Sequence, residues 1–355
     1  MRINVFVIDD SAVMRQLMSE AISKDGEVCL SGSAPDPLIA RRKMEKNWPD
    51  VILLDIEMPK MDGITFLKQI MSERPTPVVI CSTLTEKGAA RSLEALSSGA
   101  VEVVNKPNTN LSGFLNSTGT REILDAIKAA GRAKVKKLKF LAENSYREKI
   151  APDSVIEPAE SKVKVVTEQI IVIGASTGGT EAILSFLKNM PVKSPPIAIV
   201  QHMPEAFTSA FAQRLAISTP HSVMEAKNGA KMGQGCVYIA PGGKHLLIRR
   251  QGNGYFLEIK DGPLVSRHKP SVDVLFRSAA QSAGANAIGI ILTGMGDDGA
   301  IGMLEMKRAG SMTFAECESS CVVFGMPKEA IAKGGVQKVY SLGSLPYQVQ
   351  KYLEF

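Results

Sequence analysis

Residues 170–179, IIVIGASTGG, decide how the second half of this chain folds. Ile170 to Ile173 are all β-branched and apolar, the composition of a strand buried on both faces rather than on one. The small residues that follow permit a sharp turn, and TEAILSFLKNM (180–190) then carries a helical spacing of apolar side chains. Strand, tight turn and helix in that order form the repeating unit of a parallel sheet covered by helices. The same exit from an apolar strand into a polar or Gly-rich loop recurs in PIAIVQHMP (196–204) and AIGIILTGMGDDG (287–299). Between these two, GCVYIAPGGKHLLIRRQGNGYFLEI (235–259) reads as β-hairpin material turning at Gly252-Asn253-Gly254.

The first half repeats the α/β alternation. Apolar runs predict strands at Val5–Ile8, Val51–Leu54, Val78–Cys81 and Val101–Val104. Amphipathic spacing predicts helices over Ser11–Lys24, Gly63–Ser72, Glu86–Ser98 and Arg121–Ala130. From Arg132 to Gln169 the alternation lapses into a Lys-, Glu-, Ser- and Pro-rich stretch of linker character. A chain of 355 residues is long for one core, so two domains joined by that linker are expected.

Composition narrows the function classes. No run of 18 apolar residues occurs, and the N-terminus MRINVFVIDDSAVMRQ lacks a signal-peptide core, so a cytoplasmic protein without membrane insertion is expected. Five cysteines show no C-x-x-C pair and no accompanying histidine ligands, which argues against a zinc site. The net charge of +6 is modest, and its densest run, RAKVKKLK (132–139), falls in the linker. No helix-turn-helix with a basic recognition face is apparent, so a nucleic-acid partner is not expected.

Two constellations carry chemistry. In the first half, Asp9 and Asp10 follow one predicted strand and Asp55 ends another, while Ser82 and Lys106 sit at two further strand ends. Functional groups of an open parallel sheet gather outside those carboxyl ends. Clustered carboxylates repel unless a cation joins them, and hard oxygen donors suit Mg²⁺. With Mg²⁺ and a lysine neutralising a phosphoryl group, a carboxylate such as Asp55 can attack it.

In the second half, Gly174-Ala175-Ser176-Thr177-Gly178 fits the G-x-S-x-G pattern in its strand-to-helix context. Taken alone, the turn fits a nucleophilic serine and a phosphate cradle equally, although no lysine follows its glycines as a nucleotide loop would require. A serine nucleophile needs a base and usually an orienting acid. Of His202, His221, His245 and His268, only His202 directly follows a buried strand; His268, between Arg267 and Lys269, reads as part of a basic loop. Asp297 and Asp298 share the third strand exit, and local sequence does not choose between them.

The first half resembles response-regulator receivers through VIDDSAVMR, LLDIEMPKMDG, ICST and NKP. The whole chain resembles the CheB family of chemotaxis protein-glutamate methylesterases through GASTGGTEA, QHMP, YIAPGGKH, RHKPSVDVLF, ILTGMGDDGA and SCVVFGMPKEA. The resemblance implies a flavodoxin-like receiver with a five-stranded parallel sheet (1–125), a linker (126–163) and an α/β hydrolase domain with a mostly parallel sheet and a hairpin insert (164–355). It implies Asp55 as phosphoacceptor from a histidine kinase, and Mg²⁺ held by Asp10, Asp55 and the Glu57 carbonyl with Asp9 assisting. Ser82 and Lys106 would be the switch residues. It further implies Ser176 as nucleophile, His202 as base and Asp298 as orienting acid, with the Met295 N–H as an oxyanion donor and Thr177 beside the nucleophile. The implied reaction needs no cofactor: hydrolysis of glutamate methyl esters, and of glutamine amides, on chemotaxis receptors, inhibited by the unphosphorylated receiver.

Overall fold

Short polar residues punctuate the first domain. Ser11, Asp36 and Asp62 each end an extended segment and accept a backbone N–H from the helix they start, from Met14, Ile39 and Ile64. The structure is a computed structural model and describes residues 2–58, 61–82, 86–106, 118–133 and 169–353. The elements run β1 (Ile3–Ile8), α1 (Ala12–Ser23), β2 (Val28–Ala34), α2 (Pro37–Met44), β3 (Val51–Asp55), α3 (Gly63–Glu73), β4 (Val78–Ser82), α4 (Glu86–Ser97), β5 (Glu102–Asn105) and α5 (Thr118–Arg132). The strands form a parallel sheet in the order β2-β1-β3-β4-β5. Chain order reverses at β1 and β3, which puts the crevice of the sheet beside Asp9 and Asp55. Helix α5 buries Ile123, Ile127 and Ala130 against the receiver core and continues through Arg132, so residues 126–132 of the expected linker are helical. The remainder of that expected linker, from 134, lies outside the described residues.

The second domain runs β6 (Ile170–Ala175), α6 (Gly179–Lys188), β7 (Ile197–Gln201), α7 (Glu205–Ser218), β8 (Ser222–Glu225), β9 (Cys236–Ile239), β10 (His245–Gln251), β11 (Gly254–Lys260), α8 (Val272–Ala283), β12 (Ala287–Ile291), α9 (Ala300–Arg308), β13 (Met312–Glu316), α10 (Met326–Ala332), β14 (Lys338–Tyr340) and α11 (Leu345–Leu353). Seven parallel strands lie in the order β14-β13-β12-β6-β7-β9-β8. Strand β6 explains why its sequence is apolar throughout. Ile171 and Ile173 face a layer containing Phe186 and Phe211, whereas Ile170 and Val172 face the opposite layer with Leu275 and Phe276. The chain winds outward from β6 in one direction through β7 and in the other from β12, so the switch point lies between β6 and β12.

One strand expectation is corrected. Cys236–Ile239 does not belong to the hairpin; it is β9, parallel to β7 and β8 in the main sheet, and the antiparallel pair is β10–β11 alone. Strands β2, β8, β13 and β14, absent from the sequence reading, complete the two sheets. Both domains meet along one seam, where receiver helix α4 packs against α7 and α6. There Leu93, Leu96 and Val103 join the apolar cluster that holds Phe207 and Phe211.

Candidate functional site

Three strand exits converge at the switch point of the second sheet. Ser176 follows β6, His202 follows β7, and Asp298 lies on the loop after β12. Tight packing shapes the Ser176 turn. Gly178 takes φ 77° as it starts α6, a left-handed conformation that L side chains rarely adopt, and a Cβ there would stand 2.6 Å from that of Val322. The Ser176 N–H donates to the Thr293 carbonyl (3.0 Å), and its carbonyl accepts from Gly179 N (2.7 Å) and Gln201 Nε2 (2.9 Å). Thr293 is fixed in turn: its N–H donates to Glu316 Oε2 (2.9 Å) and its hydroxyl donates to the Thr177 carbonyl (3.0 Å).

Of the two adjacent acids, the fold selects Asp298. It is 1 % exposed and accepts from Ser271 Oγ (2.8 Å), Val272 N (2.7 Å) and Asp273 N (3.0 Å) at the N-terminus of α8, and meets His202 Nε2 at 2.8 Å. Burial raises its carboxyl pKa, but the His202 contact and those backbone donors outweigh burial and hold it below the ordinary value. Asp297 instead points outward to an exposed ion pair with Arg267 (3.0 Å).

An ionised Asp298 accepts hydrogen bonds only, so in the neutral imidazole the His202 proton sits on Nε2 and the lone pair on Nδ1. Nδ1 is buried and has no hydrogen-bond partner among the described residues, Ser176 included. Ser176 and His202 line one cleft. The imidazole also stacks on His268, with ring centroids 3.7 Å apart and planes at 9°. Burial, together with the charge of His202, lowers the His268 pKa to about 3, so this second ring stays neutral. His268, which reads from sequence as part of a basic loop, thus packs directly on His202.

Met295 follows Gly294 on a turn pressed against the serine: a Cβ on Gly294 would stand 2.7 Å from that of Ser176. Because the Ser176 N–H is engaged by Thr293, any oxyanion donor must come from neighbours such as this turn. Thr177 turns the other way. Its hydroxyl donates to Glu102 Oε2 on receiver strand β5, a short contact across the seam. Receiver residues Leu93, Leu96 and Val103 line the same cleft as Ser176 and His202. Removal from water pushes the Glu102 carboxyl up to about 7, which the Thr177 hydroxyl offsets only in part.

At the crevice of the first sheet, ligand atoms of Asp9, Asp10 and Asp55 lie within 4.8 Å of one another. Lys106 Nζ bridges Asp55 Oδ2 (2.6 Å) and Asp9 Oδ2 (2.9 Å). Burial pushes Asp55 up to about 6, against the pull of Lys106, and raises Asp9 as well. One ammonium against three carboxylates leaves excess negative charge on hard oxygen donors, a set that fits a small divalent cation such as Mg²⁺. Ser82 ends β4, is buried, and accepts the Lys106 N–H at its carbonyl (2.7 Å). The Glu57 N–H donates to Asp55 Oδ1 (3.2 Å).

Comparison with known proteins agrees with both halves. A family model described as CheB methylesterase matches residues 171–349, and one described as response regulator receiver domain matches 5–112. The chain is 54% identical over 345 residues to protein-glutamate methylesterase/protein-glutamine glutaminase 1 of Photobacterium profundum, spanning 97% of this chain and 98% of that protein. It is 51% identical over 349 residues to protein-glutamate methylesterase/protein-glutamine glutaminase 3 of Geobacter metallireducens, spanning 98% of each. Among solved structures, the Thermotoga maritima CheB methylesterase catalytic domain superposes with a TM-score of 0.51 at 37% identity, covering 52% of this chain and 98% of that one. Among the described residues, no helix is long and apolar enough to cross a membrane.

Proposed function

Because the chain belongs to the CheB family of protein-glutamate methylesterases/protein-glutamine glutaminases, with a receiver domain joined to the hydrolase, we propose that Ser176, His202 and Asp298 carry the hydrolysis and that Asp55 phosphorylation releases it. The observation that supports this reading is the buried His202–Asp298 pair, which leaves Nδ1 unpartnered on a residue that lines one cleft with Ser176. Ser176 Oγ attacks the carbonyl carbon of a glutamate methyl ester while His202 Nδ1 takes its proton. The tetrahedral oxyanion is held by backbone N–H groups, Met295 among them, with Thr177 flanking the nucleophile. As the intermediate collapses, the His202 imidazolium gives that proton to the departing methoxide oxygen and methanol leaves. Water then attacks the acyl-serine with His202 again as base, and the proton passes on to Ser176 Oγ as it is released, leaving a glutamate carboxylate. A glutamine side chain follows the same route with loss of ammonia. The substrates are methyl-accepting chemotaxis receptors, whose modified helices face the cytoplasm, where this enzyme works.

The phosphodonor is the chemotaxis histidine kinase. Mg²⁺ held by Asp9, Asp10, Asp55 and the Glu57 carbonyl would neutralise phosphoryl charge during transfer to Asp55. Lys106 and Ser82 then reorient toward the acyl phosphate and loosen the face formed by α4 and β5. That face covers the cleft, so a bulky receptor helix is excluded until the seam opens. A fragment beginning at Val163 is accordingly expected to release methanol faster than the unphosphorylated intact chain; equal rates would contradict occlusion.

The seam has its own pH dependence. A carboxyl with a raised pKa favours the docked state fully when protonated, below its ordinary 4.5, and loses that contribution as pH rises through about 7. The ratio of intact-chain to fragment activity, which cancels the titration of the hydrolytic site itself, is expected to rise across that range. In Glu102→Gln, which keeps an oxygen for Thr177 without the charge, the ratio should stay flat; an unchanged slope would remove Glu102 from the latch.

A further inference from the structure

Gln201 ends β7 immediately before the base, is 3 % exposed, and has no part in the chemistry above. Its amide nitrogen uses both hydrogens at once. Nε2 donates to the Ser176 carbonyl (2.9 Å) and to the His202 carbonyl (3.0 Å). The amide oxygen has no hydrogen-bond partner among the described residues. It presses on Gly179, where a Cβ would stand 2.1 Å from Gln201 Oε1. Burying an unpaired amide oxygen is a cost that an apolar side chain of similar shape, such as methionine, does not carry. What the glutamine adds over methionine is the pair of donated bonds.

Those bonds act where the sheet stops helping. The β6–β7 ladder has its last pair at Ala175 and Gln201, followed by one more bond from His202 N to the Ala175 carbonyl (3.1 Å). Past that point the two chains diverge, one into α6 and the other toward α7, and no further ladder rung sets their separation. Nucleophile and base sit in this diverging region. Thr293 holds the Ser176 N–H from the side of β12, and Gln201 holds its carbonyl from the side of β7.

We propose that Gln201 is a positioning residue that replaces the missing rung, tying the Ser176 backbone to the His202 backbone so that Oγ and Nδ1 keep a reactive separation. This inference rests on the reading of Ser176 as nucleophile and His202 as base. Its effect is expected on the chemical step, because both donated bonds end on the backbones of nucleophile and base, although Gln201 itself also borders the cleft. A shift of about an ångström between reacting groups lowers rates roughly a hundredfold.

The test uses the full-length phosphorylated chain and three substitutions, Gln201→Met, Gln201→Asn and Ser176→Ala, with methanol release from methylated receptor membranes as the assay. Gln201→Met keeps the volume and loses both donors. Gln201→Asn keeps the amide but is one methylene too short to reach both carbonyls, and it retains a polar group should the apolar variant not fold. Either is expected to lose kcat about tenfold to a hundredfold with KM unchanged. The rate at which a fluorophosphonate labels Ser176 should fall by the same factor, both normalised to the folded fraction. Unchanged kcat and labelling per folded molecule, with only the melting temperature lowered, would reduce Gln201 to a packing residue and overturn the proposal. Turnover persisting in Ser176→Ala would overturn the reading beneath it instead, a result the Gln201 variants alone cannot produce.

Discussion

Asp298→Asn is expected to slow methyl-ester hydrolysis about ten-thousandfold while the chain stays folded. The carboxylate is held at both oxygens: Oδ2 faces His202 Nε2 and the Val272 N–H, and Oδ1 faces Ser271 Oγ and the Asp273 N–H. An asparagine keeps that outline but must turn an NH₂ toward one pair of donors. If the NH₂ takes the Oδ2 position, His202 has to accept at Nε2, and its proton moves to Nδ1. The lone pair that should receive the serine proton is then gone. If the NH₂ takes the Oδ1 position it opposes the Asp273 N–H, and the imidazolium formed during attack still lacks its counter-charge. Steady-state methanol release gives the answer. A loss under about tenfold, far short of the effect known for such acids, would mean that Asp298 does not orient the base.

Ser176→Ala should cost more, about a millionfold in kcat. The turn itself does not depend on the hydroxyl. Ser176 is held through its N–H on Thr293 and its carbonyl on Gly179 and Gln201, and its Cβ packs on Gly294. An alanine preserves each of these contacts, so the loss reports chemistry rather than folding. Receptor binding and the melting temperature should match those of the parent protein. Residual turnover within tenfold of the parent would point to another nucleophile.

Much of this architecture is legible in the sequence because parallel sheets write themselves plainly. Runs such as Ile170–Ile173 and Ile197–Val200 are buried on both faces, so each is apolar throughout and ends where the polar loop begins. That pattern alone places Ser176, His202 and the Asp297–Asp298 pair at one sheet rim. Strand β9 misleads for a local reason. Cys236–Ile239 is followed by Pro241-Gly242-Gly243, which has the composition of a hairpin turn, whereas its partners β7 and β8 lie upstream and pair with it in parallel.

The site details that escape the sequence reading all depend on distant contacts. Asp297 and Asp298 are alike in local context, and the choice between them is made by N–H groups at 272 and 273, on another helix. His268 has charged neighbours and reads as surface. The positive φ angles of Ser266 (50°) and Arg267 (71°) turn the chain there, and the ring lies on His202 while Arg267 reaches out to Asp297. Glu102 has the spacing of an ordinary strand residue, and its role appears only when a second domain brings Thr177 against it.

Methanol release by the intact chain from methylated receptor membranes, with and without phosphorylation of Asp55, probes both domains in one vessel. Opening of the α4–β5 face should raise the rate on phosphorylation, and the raised rate should vanish in Ser176→Ala. A rate indifferent to phosphorylation would refute the seam as the control element, and a phosphorylated Ser176→Ala chain as fast as its parent would refute the site itself.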